Sequence, residues 1–179
     1  AESQQIYNDA WNIDQNDPRR SREGIYFSEL KYIAGKKILI VGLDTRYFRS
    51  NLIKTGNSYK PQKNLNATIL GPIQWQWLEK ELAREHDILI LASSIQVLAT
   101  EHRFEKWSNI PHERDKLLAL LNKLSSKVLI ISGDRHRSGF YKLDNIYEFT
   151  SSSINKGIFP SYETDTLLLG KTYTQNNYG

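Results

Sequence analysis

Three short apolar runs recur along the chain, and polar residues follow each of them directly. The runs lie at 38–41, 88–92 and 128–131, and they consist of isoleucine, leucine, valine and one alanine. Runs of this length without alternation are typical of strands that are buried on both faces, as in parallel sheets. The stretches between the runs are long enough for crossover helices. The pattern therefore predicts an α/β fold with a buried mixed sheet and helices outside it.

Helical periodicity and turn residues place the remaining elements. Pro72 and Pro111 each open a stretch with an apolar stripe, which predicts two helices. We expect a short helix over residues 3–11, a hairpin over 25–43 and a long loop without secondary structure over 51–68. Short alternating segments near the end of the chain predict further strands.

The strongest chemical signal follows the third apolar run. Gly133 ends that run, and Asp134 and His136 come directly after it. In open α/β sheets, ligands bind at the carboxyl ends of the strands. An Asp-x-His pair at this place presents a carboxylate oxygen and an imidazole nitrogen to one cation, a set that suits a first-row transition metal. A structural role, in which Asp134 caps a turn and His136 packs against its surroundings, fits the same pattern.

Polar residues also follow the other two runs. Asp44 and Arg46 leave the first run, and the planar guanidinium of Arg46 suits phosphate or carboxylate. An ion pair that holds the loop explains these two residues equally well. After the second run the chain carries His102, Glu105 and Trp107, which either line a pocket or pack within a surface loop. A serine nucleophile in this region is disfavoured because the strand lacks a Gly-x-Ser-x-Gly elbow.

Composition narrows the classes of function. The chain of 179 residues has no cysteine, which excludes disulfides and thiolate ligands. Its net charge is +4, from 24 basic and 20 acidic residues. The sequence lacks the basic patch that is typical of nucleic-acid-binding proteins. Base stacking on Trp75 and Trp77 is a weaker alternative, because tryptophans on a helix more often pack. No apolar run reaches the roughly 18 residues of a membrane span, so we expect neither a nucleic-acid partner nor a membrane span.

Several strings, taken in order, resemble the PhoD-like (alkaline phosphatase D) family of metallophosphoesterases. The strings are Asp17-Pro18-Arg19-Arg20, Leu43-Asp44-Thr45-Arg46, Ser93-Ser94-Ile95-Gln96, Glu101-His102, Ser132-Gly133-Asp134-Arg135-His136 and Asn176-Asn177-Tyr178-Gly179. No single string is decisive, but the ordered set covers nearly the whole chain. The resemblance implies that residues 1–179 form a single, incomplete domain, part of a metallophosphoesterase-type α/β sandwich.

The resemblance also implies an activity and its residues. Members of such a family hydrolyse phosphate monoesters or diesters by means of a metal-activated water. By resemblance, Asp134 and His136 are metal ligands, Arg46 and Trp107 bind substrate, and His102 is catalytic. The implied metal ions are calcium and iron, and the implied location is secreted or periplasmic.

One departure from the family pattern shapes the remaining expectations. A Gly-Asp strand end and an Asp-Asp-His-Asp stretch, which supply further ligands in the family, do not precede the matching strings. We therefore expect a carboxyl-terminal portion of the domain, with an unpaired central strand where the rest would lie. The alternative is a non-catalytic anion-binding module or a half-domain that needs a partner chain, because two protein ligands seldom hold a catalytic metal. The expected partners are a phosphate ester and either an amino-terminal half or a second copy.

Overall fold

The computed structural model of the chain describes residues 2–153 and 162–172. The helices of this part are α1 (Glu2–Ala10), α2 (Gly71–Leu82) and α3 (Pro111–Leu121), with short 3-10 turns at Pro18–Arg20 and Trp107–Asn109. The strands are β1 (Phe27–Ile33), β2 (Lys36–Gly42), β3 (Ile53–Thr55), β4 (Ser58–Lys60), β5 (Ile88–Ser93), β6 (Lys127–Ser132), β7 (Gly139–Leu143) and β8 (Ile146–Thr150). The predicted α/β class is confirmed.

Six of the strands form one mixed sheet in the order β1-β2-β5-β6-β8-β7. Strands β2, β5, β6 and β8 run parallel, whereas β1 and β7 pair antiparallel with β2 and β8. The three apolar runs of the sequence are β2, β5 and β6, in the centre of the sheet. Both β5 and β6 are paired on each side, so the expectation of an unpaired central strand is wrong for the described residues.

The predicted hairpin and terminal helix are confirmed, but the predicted loop is only partly a loop. Strands β1 and β2 form the hairpin, and Ala34 and Gly35 make its turn with positive φ angles of 49° and 74°. Within 51–68, β3 and β4 pair as a second, two-stranded sheet around Gly56, which also has a positive φ. Each of these strands has only three residues, too few for the period-2 pattern to be visible in the sequence.

The core lies between one face of the large sheet and helices α2 and α3. The side chains of Leu39, Leu91 and Ile130 on the sheet pack with Leu78 and Leu117 on the helices, and all five are fully buried. The other face of the sheet is less covered. Four apolar side chains on that face keep 37–44% of their surface exposed, namely Ile131, Phe140, Tyr147 and Phe149.

Parallel pairing brings the segments that follow four of the strands to one edge of the sheet. Because β2, β5, β6 and β8 are parallel, their carboxyl ends lie at the same edge. None of the helices in the described residues is long and apolar enough to cross a membrane.

Candidate active site

The segment that follows β2 is shaped by Asp44. This residue is buried, and its carboxylate accepts hydrogen bonds of 2.9 Å from the backbone N–H groups of Ile25, Arg46 and Tyr47. Its own backbone N–H donates to Oε1 of Gln74 at 2.9 Å. Asp44 is therefore a structural residue, and the turn that it holds projects the Arg46 side chain from the edge of the sheet.

Arg46 stands at the centre of a cluster of four charged side chains. Its Nη1 lies 2.8 Å from Oε2 of Glu105, and its Nη2 lies 3.3 Å from Oδ2 of Asp134. Arg49 also contacts Oε2 of Glu105, at 2.9 Å. The side chains of Arg46 and Asp134 are half exposed, whereas Glu105 and Arg49 are mostly buried. The cluster therefore has balanced charge, with a fixed inner pair and an accessible outer pair.

The segment after β6 has an unusual backbone. Asp134 and His136 have φ angles of 59° and 52°, in the left-handed region that residues other than glycine seldom adopt. The hydroxyl oxygen of Ser152, which follows β8, accepts hydrogen bonds from the backbone N–H groups of Arg135 (2.9 Å) and His136 (2.8 Å). One hydroxyl thus supports a strained tripeptide, and strain of this kind is concentrated at functional sites in proteins.

His102 lies in the same region, but its pKa is too low for an acid catalyst at neutral pH. Burial, with the charges of Arg135, Lys106 and Arg137, lowers the pKa of the imidazole from 6.5 to about 2. Its Nδ1 accepts a hydrogen bond from the backbone N–H of Phe104 at 3.2 Å. An imidazole with this pKa is neutral near pH 7 and holds no acidic proton for a leaving group. The catalytic role expected for His102 therefore gains no support from this geometry and stays a prediction from the sequence.

Trp107 is placed in the core. Its side chain has no exposed surface, and its indole N–H donates to the Ser93 hydroxyl at 3.0 Å. The Ser93 hydroxyl in turn donates to the carbonyl of Ile95. Trp107 has no exposed surface and Ser93 is only 4% exposed, so the substrate-binding role expected for Trp107 and a nucleophilic role of Ser93 have no geometric support. Trp75, considered for base stacking, is also buried, and its indole donates to Glu113 at 2.7 Å.

A row of buried polar groups underlies the loop that follows β5. Glu148, on β8, is fully buried and accepts hydrogen bonds from the backbone N–H groups of Val97 (2.9 Å) and Leu98 (2.5 Å). Burial raises the pKa of the Glu148 carboxyl, against the lowering effect of its hydrogen bonds. Thr150, two residues further on, binds the side chains of Gln96 and Ser132. These contacts fix the loop that carries Glu105 to the edge of the sheet.

The donors expected for a metal are present in part. Asp134 and His136 offer oxygen and nitrogen ligands of the right chemistry, and both lie at the carboxyl edge of the sheet. Among residues 2–153 and 162–172, however, no group of three or more histidine, aspartate or glutamate side chains is arranged to hold a metal ion. The described residues therefore do not complete a metal site, since catalytic zinc, for example, normally has three protein ligands.

Sequence reasoning assigned no specific role to Glu105 or Ser152. Glu105 orients both arginines, and Ser152 supports the Asp134–His136 backbone. The signal for Ser152 was its place directly after a strand, because such residues gather at the same edge as those of the other parallel strands. Nothing in the local sequence distinguishes Glu105 from an ordinary surface acid. The terminal Asn-Asn-Tyr-Gly string lies outside the described residues.

Comparison with known proteins gives the chain a family and a fold. A family model described as PhoD-like phosphatase matches residues 1–178. The chain belongs to the PhoD-like phosphatase family. The expected resemblance to this family is confirmed. No curated protein sequence matches the chain.

Two solved structures have a similar fold. A structure of PhoD aligns with 79% of this chain at 23% sequence identity and a TM-score of 0.60. GAP50, described as the anchor in the inner membrane complex of Plasmodium, aligns with 84% of this chain at 16% identity and a TM-score of 0.53. The chain spans 31% of the PhoD chain and 44% of the GAP50 chain.

Proposed function

We propose that the chain forms part of a metal-dependent hydrolase of phosphate esters, acting on phosphomonoesters or phosphodiesters. The observation that supports this proposal most is the meeting of Arg46, Glu105 and Asp134 at the carboxyl edge of the parallel strands. In a chain of the PhoD-like phosphatase family, this is the edge at which an α/β sheet binds its ligands.

In the proposed site, Arg46 binds the phosphate of the substrate. Its guanidinium presents two parallel N–H donors, which match two oxygens of a phosphate. Its contact with Asp134 is longer (3.3 Å) than its contact with Glu105 (2.8 Å), and it lies in the exposed half of the cluster. A phosphate therefore replaces the Asp134 carboxylate at Nη2, while Glu105 and Arg49 keep the guanidinium in place.

Release from Arg46 leaves Asp134 available as a ligand. We assign Asp134 and His136 to a metal site, with calcium and iron as the ions implied by the resemblance to the family. Such ions polarise a phosphoryl oxygen and lower the pKa of a bound water. The remaining ligands come from outside the described residues, either in this chain or in associated polypeptide. The exposed apolar face at Ile131 and Phe149 supports association with such a partner.

The domain and location assignments remain part of the proposal. We take residues 1–179 as a single domain, because one sheet and one core connect all the described helices except α1. We take the protein to be secreted or periplasmic, as the resemblance to the family implies. Cell fractionation followed by immunoblotting tests the location, and recovery in the cytosolic fraction contradicts it.

Hydrolysis of bis(p-nitrophenyl) phosphate with added calcium and iron tests the activity. We expect Asp134→Asn and His136→Ala each to lower turnover by at least a hundredfold. The matched control is His86→Ala, because His86 precedes β5 and lies at the opposite, amino-terminal edge of the strands. Metal content, measured by mass spectrometry on the same samples, should fall in both site variants. Unchanged turnover in Asp134→Asn and His136→Ala contradicts the proposed site.

A further inference from the structure

A cleft opens beside Arg46. It lies between helix α1 and the segment that follows β2, and its volume is about 610 Å³. This volume falls within the range of about 300–1,000 Å³ that is typical of sites for small organic ligands. The cleft is therefore large enough for an organic group attached to the phosphate that Arg46 binds.

The two ends of the cleft differ in chemistry. Arg46 and the hydroxyls of Thr45 and Ser94, which contact each other, form the polar end. Beyond them, Tyr7 and Tyr47 contribute aromatic rings to the lining. Tyr47 keeps 38% of its surface exposed, so part of its ring is accessible to a ligand.

Ile25 and Leu43 add aliphatic surface to the same lining. Leu43 is buried behind the cleft, and Ile25 is half-buried. A flat aromatic group is the shape that two tyrosine rings and aliphatic side chains contact best, through offset or edge-to-face geometry. Ser3, Gln4 and Asp44 also line the cleft, but the Gln4 amide and the Asp44 carboxylate already bind backbone groups of the protein.

The walls of the cleft are held in position before any ligand binds. The Gln4 side-chain amide of α1 donates to the carbonyls of Arg19 (2.8 Å) and Arg22 (2.7 Å) and accepts from the Gly24 N–H (3.1 Å). The Asp44 carboxylate accepts hydrogen bonds from the backbone N–H groups of three further lining residues, Ile25, Arg46 and Tyr47. A site that is already formed loses less conformational entropy on binding than one that must order.

We propose that this cleft selects phosphate esters whose alcohol carries a flat aromatic ring. Arg46 holds the phosphate, and the ring lies between Tyr7 and Tyr47. The proposal rests on the proposed function, because it takes Arg46 as the phosphate-binding residue. It adds a preference for one class of esterified alcohol, which phosphate binding by Arg46 does not by itself determine.

Binding of three non-chromogenic ligands tests the selection: inorganic phosphate, methyl phosphate and phenyl phosphate. Dissociation constants come from titrations followed in ¹H–¹⁵N NMR spectra. We expect phenyl phosphate to bind at least tenfold more tightly than methyl phosphate, with the largest shifts at Tyr7 and in residues 43–47. Tyr7→Ala and Tyr47→Ala should each remove most of that preference and leave the affinity for methyl phosphate unchanged.

The controls separate this inference from the proposed function. Tyr32→Ala alters a tyrosine that is 71% exposed at the far end of the β1–β2 hairpin, and it should change no dissociation constant. Arg46→Gln should weaken all three ligands, and an unchanged affinity for inorganic phosphate contradicts the proposed function. Equal affinities for methyl and phenyl phosphate, or a phenyl preference that survives Tyr7→Ala and Tyr47→Ala, overturn the aromatic selection and leave the phosphate site untouched. Tyr47→Ala alone suffices if Tyr7→Ala disturbs α1.

Discussion

The loop after β5 and the segment after β6 leave the same edge of the sheet but are stabilised in opposite ways. The first is tied from below by buried groups, with Glu148 binding the N–H groups of Val97 and Leu98. The second keeps Asp134 and His136 in the left-handed region, and one hydroxyl, that of Ser152, accepts the backbone N–H groups of Arg135 and His136. One loop therefore derives its shape from buried hydrogen bonds, while the other retains strain and exposure.

The difference separates residues that position the site from residues that act in it. A buried hydrogen-bond network fixes a backbone at the expense of access, because its atoms are already paired. A strained, exposed segment keeps its side chains available, and the strain persists only where the surroundings hold it. By this criterion Glu148 and Trp107 are supports, whereas Asp134 and Arg46 are the side chains that we propose as ligand-binding residues.

The largest effect that tests this comparison is on stability, from Glu148→Leu. The substitution leaves two backbone N–H groups buried without an acceptor, each worth ~1–3 kcal/mol. We therefore expect the free energy of unfolding to fall by about 3 kcal/mol, measured by urea denaturation.

Glu85→Leu is the matched control for this substitution. Glu85 pairs with Lys37, but its side chain is 85% exposed, and exposed pairs contribute only ~0–1 kcal/mol. If Glu148→Leu changes stability as little as Glu85→Leu does, the loop after β5 is not held from below and the comparison fails.

A smaller effect concerns His102 and pH. The folded pKa of about 2 lies below the value of 6.5 for a free imidazole. Below pH 6.5 the unfolded chain therefore binds a proton at His102 that the folded chain does not bind. Stability should therefore be complete above pH 6.5 and fall as the pH drops below it. The contribution of this one residue amounts to about 2 kcal/mol between pH 7.5 and pH 5.

His102→Gln removes the titrating group and isolates its contribution. Urea denaturation at several pH values should show the variant losing less stability than the wild type between pH 7.5 and pH 5. Parallel curves for the two proteins would mean that folding does not lower the pKa of His102, and His102 would then be able to act as an acid catalyst.

Much of the scaffold follows from local sequence, as the central strands show. The runs that became β2, β5 and β6 are apolar on both faces, which is typical of central strands in an α/β sheet, although Ile131 of β6 keeps 41% of its surface exposed. The helices at Pro72 and Pro111 follow from a proline in the first turn and a single apolar stripe. The positions of Asp134 and Arg46 at one edge then follow from parallel topology.

The distinction between support and site could not be predicted in the same way. Trp107 and His102 stand in a polar stretch, and only the tertiary packing shows that one is buried and the other neutral. Glu105 contacts Arg46 and Arg49 across more than fifty residues of sequence, so no local pattern reveals the cluster. Burial and long-range ion pairing are properties of the fold, and they override what a residue type suggests locally.

The smallest expected effect sharpens the contrast most, because it sets stability against function at Asp134. Asp134→Gly relieves a non-glycine residue at φ 59° and removes only a half-exposed ion pair, so we expect stability to rise by about 0.5 kcal/mol. Asp144→Gly, in the β7–β8 turn at φ 50°, is the matched control and should give a similar gain. Only the first should abolish phosphodiester hydrolysis. If urea denaturation shows that Asp134→Gly lowers stability, Asp134 stabilises its own segment. Asp134 would then be a support like Glu148, and no ligand would be needed to explain its backbone strain.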